Sequence, residues 1–181
     1  MKDLILLGGP MGVGKTTVCR SLMARLDGCF WLDGDWCWTM HPFIVDDETK
    51  ALVVDNIVHT LSGFLRCSRC RTALLSWVLD LPETWELLLR RLPLDGCRVH
   101  RVILTARAEV LAARVAADVA AGIREPGAVE RSLARLPRYA GLPGLHLDTT
   151  GLTPDDVAAQ LLDLLTAQEA VRTPHLYIKN I

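Results

Sequence analysis

Gly9-Pro10-Met11-Gly12-Val13-Gly14-Lys15-Thr16 spells G-x-x-x-x-G-K-[ST] without a departure, and this pattern leaves the flanking chain little choice. Glycines let backbone N–H groups turn inward and approach an anion with no Cβ in the way. The run before them, residues 3–8 (DLILLG), is apolar throughout, as a buried parallel strand should be. The run after them, residues 15–26, places Val18, Leu22 and Leu26 on one helical face. A strand, a glycine bend and a helix whose first amides are free make a cradle for a phosphate chain. Lys15 is expected to reach the β- and γ-phosphates, the Thr16 hydroxyl to ligand Mg²⁺, and Thr17 to complete the binding stretch.

The rest of the chain alternates short apolar runs with longer amphipathic ones, the signature of βαβ units. Strands are expected at 29–33, 72–79, 98–106 and 144–151. Helices are expected at 46–67, 82–92, 107–122, 126–139 and 153–170. Asp46 or Asp47 caps the first of these helices, whose apolar face is read as Leu52, Val53, Ile57, Leu61 and Leu65. Pro82 opens the second, Gly122 stops the third, and Thr153 with Pro154 starts the last, with a face of Val157, Leu161, Leu164 and Leu165. The expected fold class is α/β: a three-layer α/β/α P-loop NTPase domain over residues 1–170, with a parallel sheet of about five strands and a small helical lid at about 114–135. Residues 171–181 form a C-terminal tail, either an edge strand or loose chain.

Bulk properties exclude several classes. The 181 residues suit one domain, and half of them are hydrophobic, which a packed core requires. A net charge of −1 gives no electrostatic argument for a nucleic-acid or membrane partner. No run of about eighteen apolar residues is present, so no membrane span is expected. The N-terminal apolar run is too short for a secretory signal, and a cytoplasmic protein, monomer or homodimer, is the expectation. Six cysteines are scattered, and Cys67 with Cys70 has the spacing of only half a zinc site; reduced thiols are expected.

Two classes of phosphate-binding protein fit poorly. A GTPase switch needs D-x-x-G on the third strand and N-K-x-D, and this chain has neither. A motor or AAA-type ATPase usually ends its third strand in an acid, whereas Asp80 lies past the expected strand centre. Residues 30–43 (FWLDGDWCWTMHPF) then place an Asp-Gly-Asp after the second strand, with Trp36, Trp38, His41 and Phe43 close behind. These rings either stack on a planar acceptor or fill core. The acids either serve a reaction or close the strand with an Asp-Gly turn.

With its glycine loop, LDGDWCWTMHPF (32–43), the arginine-bearing stretch 114–135 and LDTTGLTPDDV (147–157), the chain resembles the P-loop small-molecule kinases. This is the nucleoside-monophosphate-kinase-like group that includes gluconate, shikimate and antibiotic-modifying kinases. The resemblance implies that Asp33 orients Mg²⁺ water or accepts the proton of the attacking hydroxyl, and that Asp35 grips the substrate, with Trp36 and His41 nearby. It implies that Arg114 stacks on adenine and that Arg124 closes from the lid over the phosphates, with Arg131 and Arg135 either joining it or lying on a solvated helix face. It also implies that the loop carrying Asp148, Thr149 and Thr150 passes the adenine ring, with Thr150 as the binding residue. The cofactors implied are ATP and Mg²⁺, and the partner is a small hydroxyl-bearing acceptor: a nucleoside or nucleotide, a sugar acid or an antibiotic. The rival reading is a nucleotide-binding regulator or NTP hydrolase without an acceptor.

Overall fold

The computed structural model describes residues 1–172. Five strands, β1 (Lys2–Gly8), β2 (Cys29–Asp33), β3 (Thr72–Ser76), β4 (Cys97–Thr105) and β5 (Leu145–Asp148), form one parallel sheet in the order β2-β3-β1-β4-β5. Six α-helices connect and follow them: α1 (Lys15–Arg25), α2 (Asp47–Arg66), α3 (Pro82–Arg91), α4 (Ala108–Ala120), α5 (Ala128–Tyr139) and α6 (Pro154–Arg172). A short 3-10 turn, Gly34–Trp38, follows β2. The tail expected at 171–181 lies, beyond residue 172, outside the described residues.

Strand β1 explains why the sheet is covered on both faces. Leu4 and Leu6 point into a core shared with Val53, Ile57 and Leu61 of α2 and with Trp85 and Leu88 of α3. Ile5 and Leu7 point into a second core with Val18 and Leu22 of α1, Leu111 of α4, and Val157 and Leu161 of α6. All four β1 side chains are buried, each burial contributing roughly 1.5–3 kcal/mol, so the strand cannot be shifted by one residue. The expected three layers follow directly.

Helix ends obey local chemistry. Asp46 accepts from the Thr49 amide at 2.8 Å while Thr49 Oγ1 accepts from the Asp46 amide at 3.0 Å, so Asp46 and not Asp47 is the cap of α2. Thr153 and Asp156 make the equivalent exchange at the start of α6. Gly122, at φ +71°, ends α4: its own N–H reaches Val119 and the Ile123 N–H reaches back to Asp118.

The differences are local. Leu52 is half exposed, because Val53, Val54, Ile57 and Val58 already form the inward stripe and Leu52 lies outside it. Leu164 likewise faces out, and β3 stops at Ser76 rather than 79. There the Trp77 amide donates to Leu7, and Leu79 takes a positive φ of 46°, turning the chain away from the ladder.

From β1 the chain passes to β2 and β3 on one side, then crosses to β4 and β5 on the other. The carboxyl ends of all five strands share one edge, where such a reversal opens a crevice.

Candidate active site

At that edge lies a cavity of about 510 Å³, with residues 11–18 as its floor. Gly9, Gly12 and Gly14 have φ of +149°, +81° and +104°, conformations that side chains resist. Gly12 is constrained twice, since a Cβ there would stand 2.4 Å from Val115 Cγ2 of α4. Lys15 folds back over the bend and donates to the carbonyls of Gly9 at 2.8 Å and Pro10 at 3.0 Å. Burial lowers the Lys15 pKa to about 8, against the pull of Asp35 and Asp33. The ammonium is thus held without a full counter-charge, ready for an anion. Thr17 is spent locally, its hydroxyl on the Gly14 carbonyl at 2.8 Å.

Asp33, at the end of β2, is buried, and it accepts from Thr16 Oγ1 at 3.0 Å and from the Asp35 amide at 3.2 Å. The glycine between the two acids is required by shape: a Cβ on Gly34 would lie 2.5 Å from Trp77 Cγ. Asp35 also lines the cavity. Burial and the neighbouring Asp33 raise its pKa, although Lys15 and Arg124 oppose them. A hydroxyl beside a carboxylate, both next to a phosphate cradle, is an oxygen donor set suited to Mg²⁺, which takes few protein ligands and keeps phosphate oxygens and waters.

The opposite wall is built by α4 and the end of β5. Arg114 donates to Thr149 Oγ1 and to its carbonyl, both at 2.9 Å, and Thr149 donates to the Val13 carbonyl at 3.3 Å. Thr149 and not Thr150 therefore lines the cavity; Thr150 Oγ1 is turned away to accept from the Arg107 amide. The difference is one residue at a strand end, where side chains alternate faces.

Arg124 lines the cavity and is bonded to Asp118 of α4 at 2.7 Å. Asp118 went unnoticed in the sequence, although a single acid within the alanine- and valine-rich run VAADVA is the available signal. Arg131 and Arg135 do not line the cavity: Arg131 lies 4.0 Å from Glu125, and Arg135 lies 3.8 Å from Asp80. Helix α5 is fastened at both ends, since buried Ser132 donates to the Met11 carbonyl at 2.7 Å and Tyr139 to the Val78 carbonyl at 2.9 Å. Ser132 also escaped sequence reading, because nothing in its local pattern distinguishes it.

The aromatic residues divide into two pairs. Trp36 rests on Trp31 with ring centroids 5.1 Å apart, and Phe43 on Trp38 at 5.9 Å. Trp36 is 57% and Phe43 67% exposed, so neither is core. Trp36 and His41 lie outside the cavity wall, His41 on an exposed turn.

A parallel α/β/α sheet with this phosphate cradle at its carboxyl edge defines a P-loop protein. A family model described as an AAA domain matches residues 5–131, and the chain belongs to that family. The expectation that an AAA label fits poorly is thereby corrected: Ser76, not an acid, ends β3, and the chain belongs to the family without that carboxylate. No curated protein sequence matches. Solved structures share the fold. The tunicamycin resistance protein of Deinococcus radiodurans aligns at 24% identity and TM-score 0.65, covering 91% of this chain and 96% of its own. A gluconokinase of Sinorhizobium meliloti aligns at 19% and 0.63, covering 92% and 97%. Shikimate kinase of Acinetobacter baumannii, in complex with shikimate, aligns at 22% and 0.63, covering 93% and 95%. The fold is thus that of the P-loop small-molecule kinases. Among the described residues, no helix is long and apolar enough to cross a membrane.

Proposed function

We propose that the protein is an ATP- and Mg²⁺-dependent phosphotransferase that moves the γ-phosphate to a hydroxyl of a small molecule. The observation that carries this reading is the meeting of Thr16, Asp33, Asp35 and Lys15 around one cavity. A pure hydrolase needs no second carboxylate beside its phosphate cradle.

In this reading the amides of residues 9–16 and Lys15 hold the phosphates, and Thr16 and Asp33 would hold Mg²⁺, which would supply charge neutralisation at the phosphates. Asp33 is already committed to Thr16 and to the turn, which leaves Asp35 to take the proton. The acceptor oxygen forms a bond to the γ-phosphorus as the bond to the β–γ bridging oxygen breaks. The hydroxyl proton passes to the Asp35 carboxylate, and ADP leaves. A raised pKa suits Asp35 to that task, since a stronger base takes the proton more readily. Arg124 swings from Asp118 to the transferred phosphoryl group, and Arg114 flanks the adenine beside Thr149. The neighbours named for gluconate and shikimate phosphorylation share the fold, which supports the same chemistry here. We take the enzyme to act in the cytoplasm as a monomer or homodimer.

ATP consumption with Mg²⁺, screened against nucleosides, nucleotides, sugar acids and aminoglycoside-like antibiotics, tests the reading. One compound should stimulate turnover, and Asp35→Asn should lose the stimulation. Flat turnover with ATP still bound favours a nucleotide-binding regulator or NTP hydrolase instead.

A further inference from the structure

A glycine loop offers its amides to a phosphate only if its carbonyls are held elsewhere, and here each holder has a name. Lys15 takes the carbonyls of Gly9 at 2.8 Å and Pro10 at 3.0 Å, and Thr149 takes that of Val13 at 3.3 Å. The Met11 carbonyl goes to Ser132 of α5, 2.7 Å away and 1% exposed. Lys15 and Thr149 line the cavity with Met11 and Gly12, whereas Ser132 does not. A trans peptide points its C=O and the following N–H in opposite directions. Holding the Met11 carbonyl on Ser132, away from the cavity, therefore turns the Gly12 N–H toward it. This peptide has an alternative. Rotating the plane between Met11 and Gly12 would exchange carbonyl and amide, and glycine tolerates either sign of φ. Gly12 stands at φ +81°, so the rotation takes it to the negative side. Its Cα is hemmed in by Val115 of α4, whose Cγ2 would stand 2.4 Å from an added Cβ. The orientation of the plane is the freedom that remains, and a carbonyl turned inward would set its negative end against the phosphates.

We propose that Ser132 is a positioning residue of the phosphate cradle: by holding the Met11 carbonyl it keeps the Gly12 amide aimed at the bound phosphate chain. The proposal rests on the phosphate-binding half of the reading above and not on transfer, so it applies equally to a regulator or a hydrolase. Ser132 acts through the peptide it holds and is not a catalytic residue. It also gives α5 a direct bond to the loop, 121 residues away in the chain.

The test titrates the full chain, isotope-labelled for amide NMR, with ADP and Mg²⁺, since an amide that bonds to a phosphate shifts downfield. In wild type the Gly12 and Gly14 amides should both shift. Ser132→Ala should bind ADP at least about ten-fold more weakly and lose the Gly12 shift while keeping that of Gly14. Tyr139→Phe is the matched control. It removes the other hydroxyl that fastens α5, and the Val78 carbonyl still keeps its bond from the Gly9 amide at 3.2 Å. This variant should keep both shifts and bind ADP within about three-fold of wild type. Unchanged ADP affinity in Ser132→Ala, or weaker binding with the Gly12 shift retained, overturns the proposal. An equal loss in Tyr139→Phe also overturns it and assigns the effect to the seating of α5. Wild type that binds no ADP removes the phosphate cradle and the proposal together. Absence of phosphotransfer in a wild type that binds ADP removes the transfer reading alone.

Discussion

Thr16 at the start of α1 donates its hydroxyl to the Asp33 carboxylate at the end of β2, 3.0 Å away. The contact ties the phosphate cradle to the first acid of the Asp-Gly-Asp turn, and it places the two oxygens that would share a Mg²⁺ ion. Thr16→Val and Asp33→Asn are each expected to weaken Mg²⁺-stimulated ATP binding by roughly 10- to 100-fold while binding of ATP in EDTA changes little. Calorimetric titration of ATP with and without Mg²⁺ measures both quantities. Equal losses in the two conditions would assign the pair a structural role only.

Lys15 carries the opposite signs for binding and for stability. Its pKa is lowered from 10.5 to about 8 by burial, so keeping it charged at neutral pH costs the free protein on the order of 3 kcal/mol. Lys15→Met should abolish detectable ATP binding and yet raise the melting temperature of the nucleotide-free protein at pH 7, by about 2–4 °C per kcal/mol recovered. The sign follows from proton counting. Between pH 8 and 10.5 the unfolded chain holds the Lys15 proton and the folded chain does not, so this group's contribution to stability rises with pH across that window. The melting temperature of wild type minus that of Lys15→Met should therefore become less negative from pH 8 upward.

These predictions use residues of unequal legibility. The cradle was readable because its spelling is dictated by backbone approach to phosphate, and β1 because a strand buried on both faces must be apolar throughout. Asp33 and Asp35 were readable as a turn of acids after a strand. Leu52 was misplaced because several apolar residues in a row satisfy more than one helical stripe, and only the sheet decides which faces inward. Thr149 and Thr150 could not be separated by sequence, since strand alternation at a four-residue strand hangs on where the ladder ends. Asp80, Asp118 and Ser132 act through partners 58, 6 and 121 residues away. For Asp80 and Ser132 especially, no local pattern encodes a contact over such a separation.

The two titrating groups of the cavity set a bell-shaped pH dependence for kcat/KM of ATP. Asp35 must be ionised to take a proton, and burial beside Asp33 moves its titration above the ordinary carboxylate value of 3.8. The acid limb should thus lie above that value and vanish in Asp35→Asn, whose residual activity is flat below neutrality. The alkaline limb should fall near pH 8 in the free enzyme, as Lys15 loses its charge. Saturating ATP should move that limb upward, because bound phosphate stabilises the ammonium. A limb that stays near pH 8 at saturation would separate it from Lys15.

Gly34 offers a test of how the fold aims the two acids. Its φ is not in the left-handed region, so backbone freedom is not the reason for a glycine there. The reason is space: an added Cβ would lie 2.5, 2.7 and 2.9 Å from Trp77 Cγ, Cδ1 and Cβ. The indole packs against the main core and Trp77 is hydrogen-bonded to β1 through its amide, so the ring cannot retreat freely. The turn must move instead, carrying Asp33 off Thr16. Gly34→Ala is therefore expected to cost about 1–3 kcal/mol in urea unfolding and to reduce Mg²⁺-stimulated ATP binding as Asp33→Asn does. In a Trp77→Ala background the same substitution should cost less than half as much, because the clashing atoms are gone and the two changes couple. Additive losses in the double variant would show that the indole does not set the position of the turn.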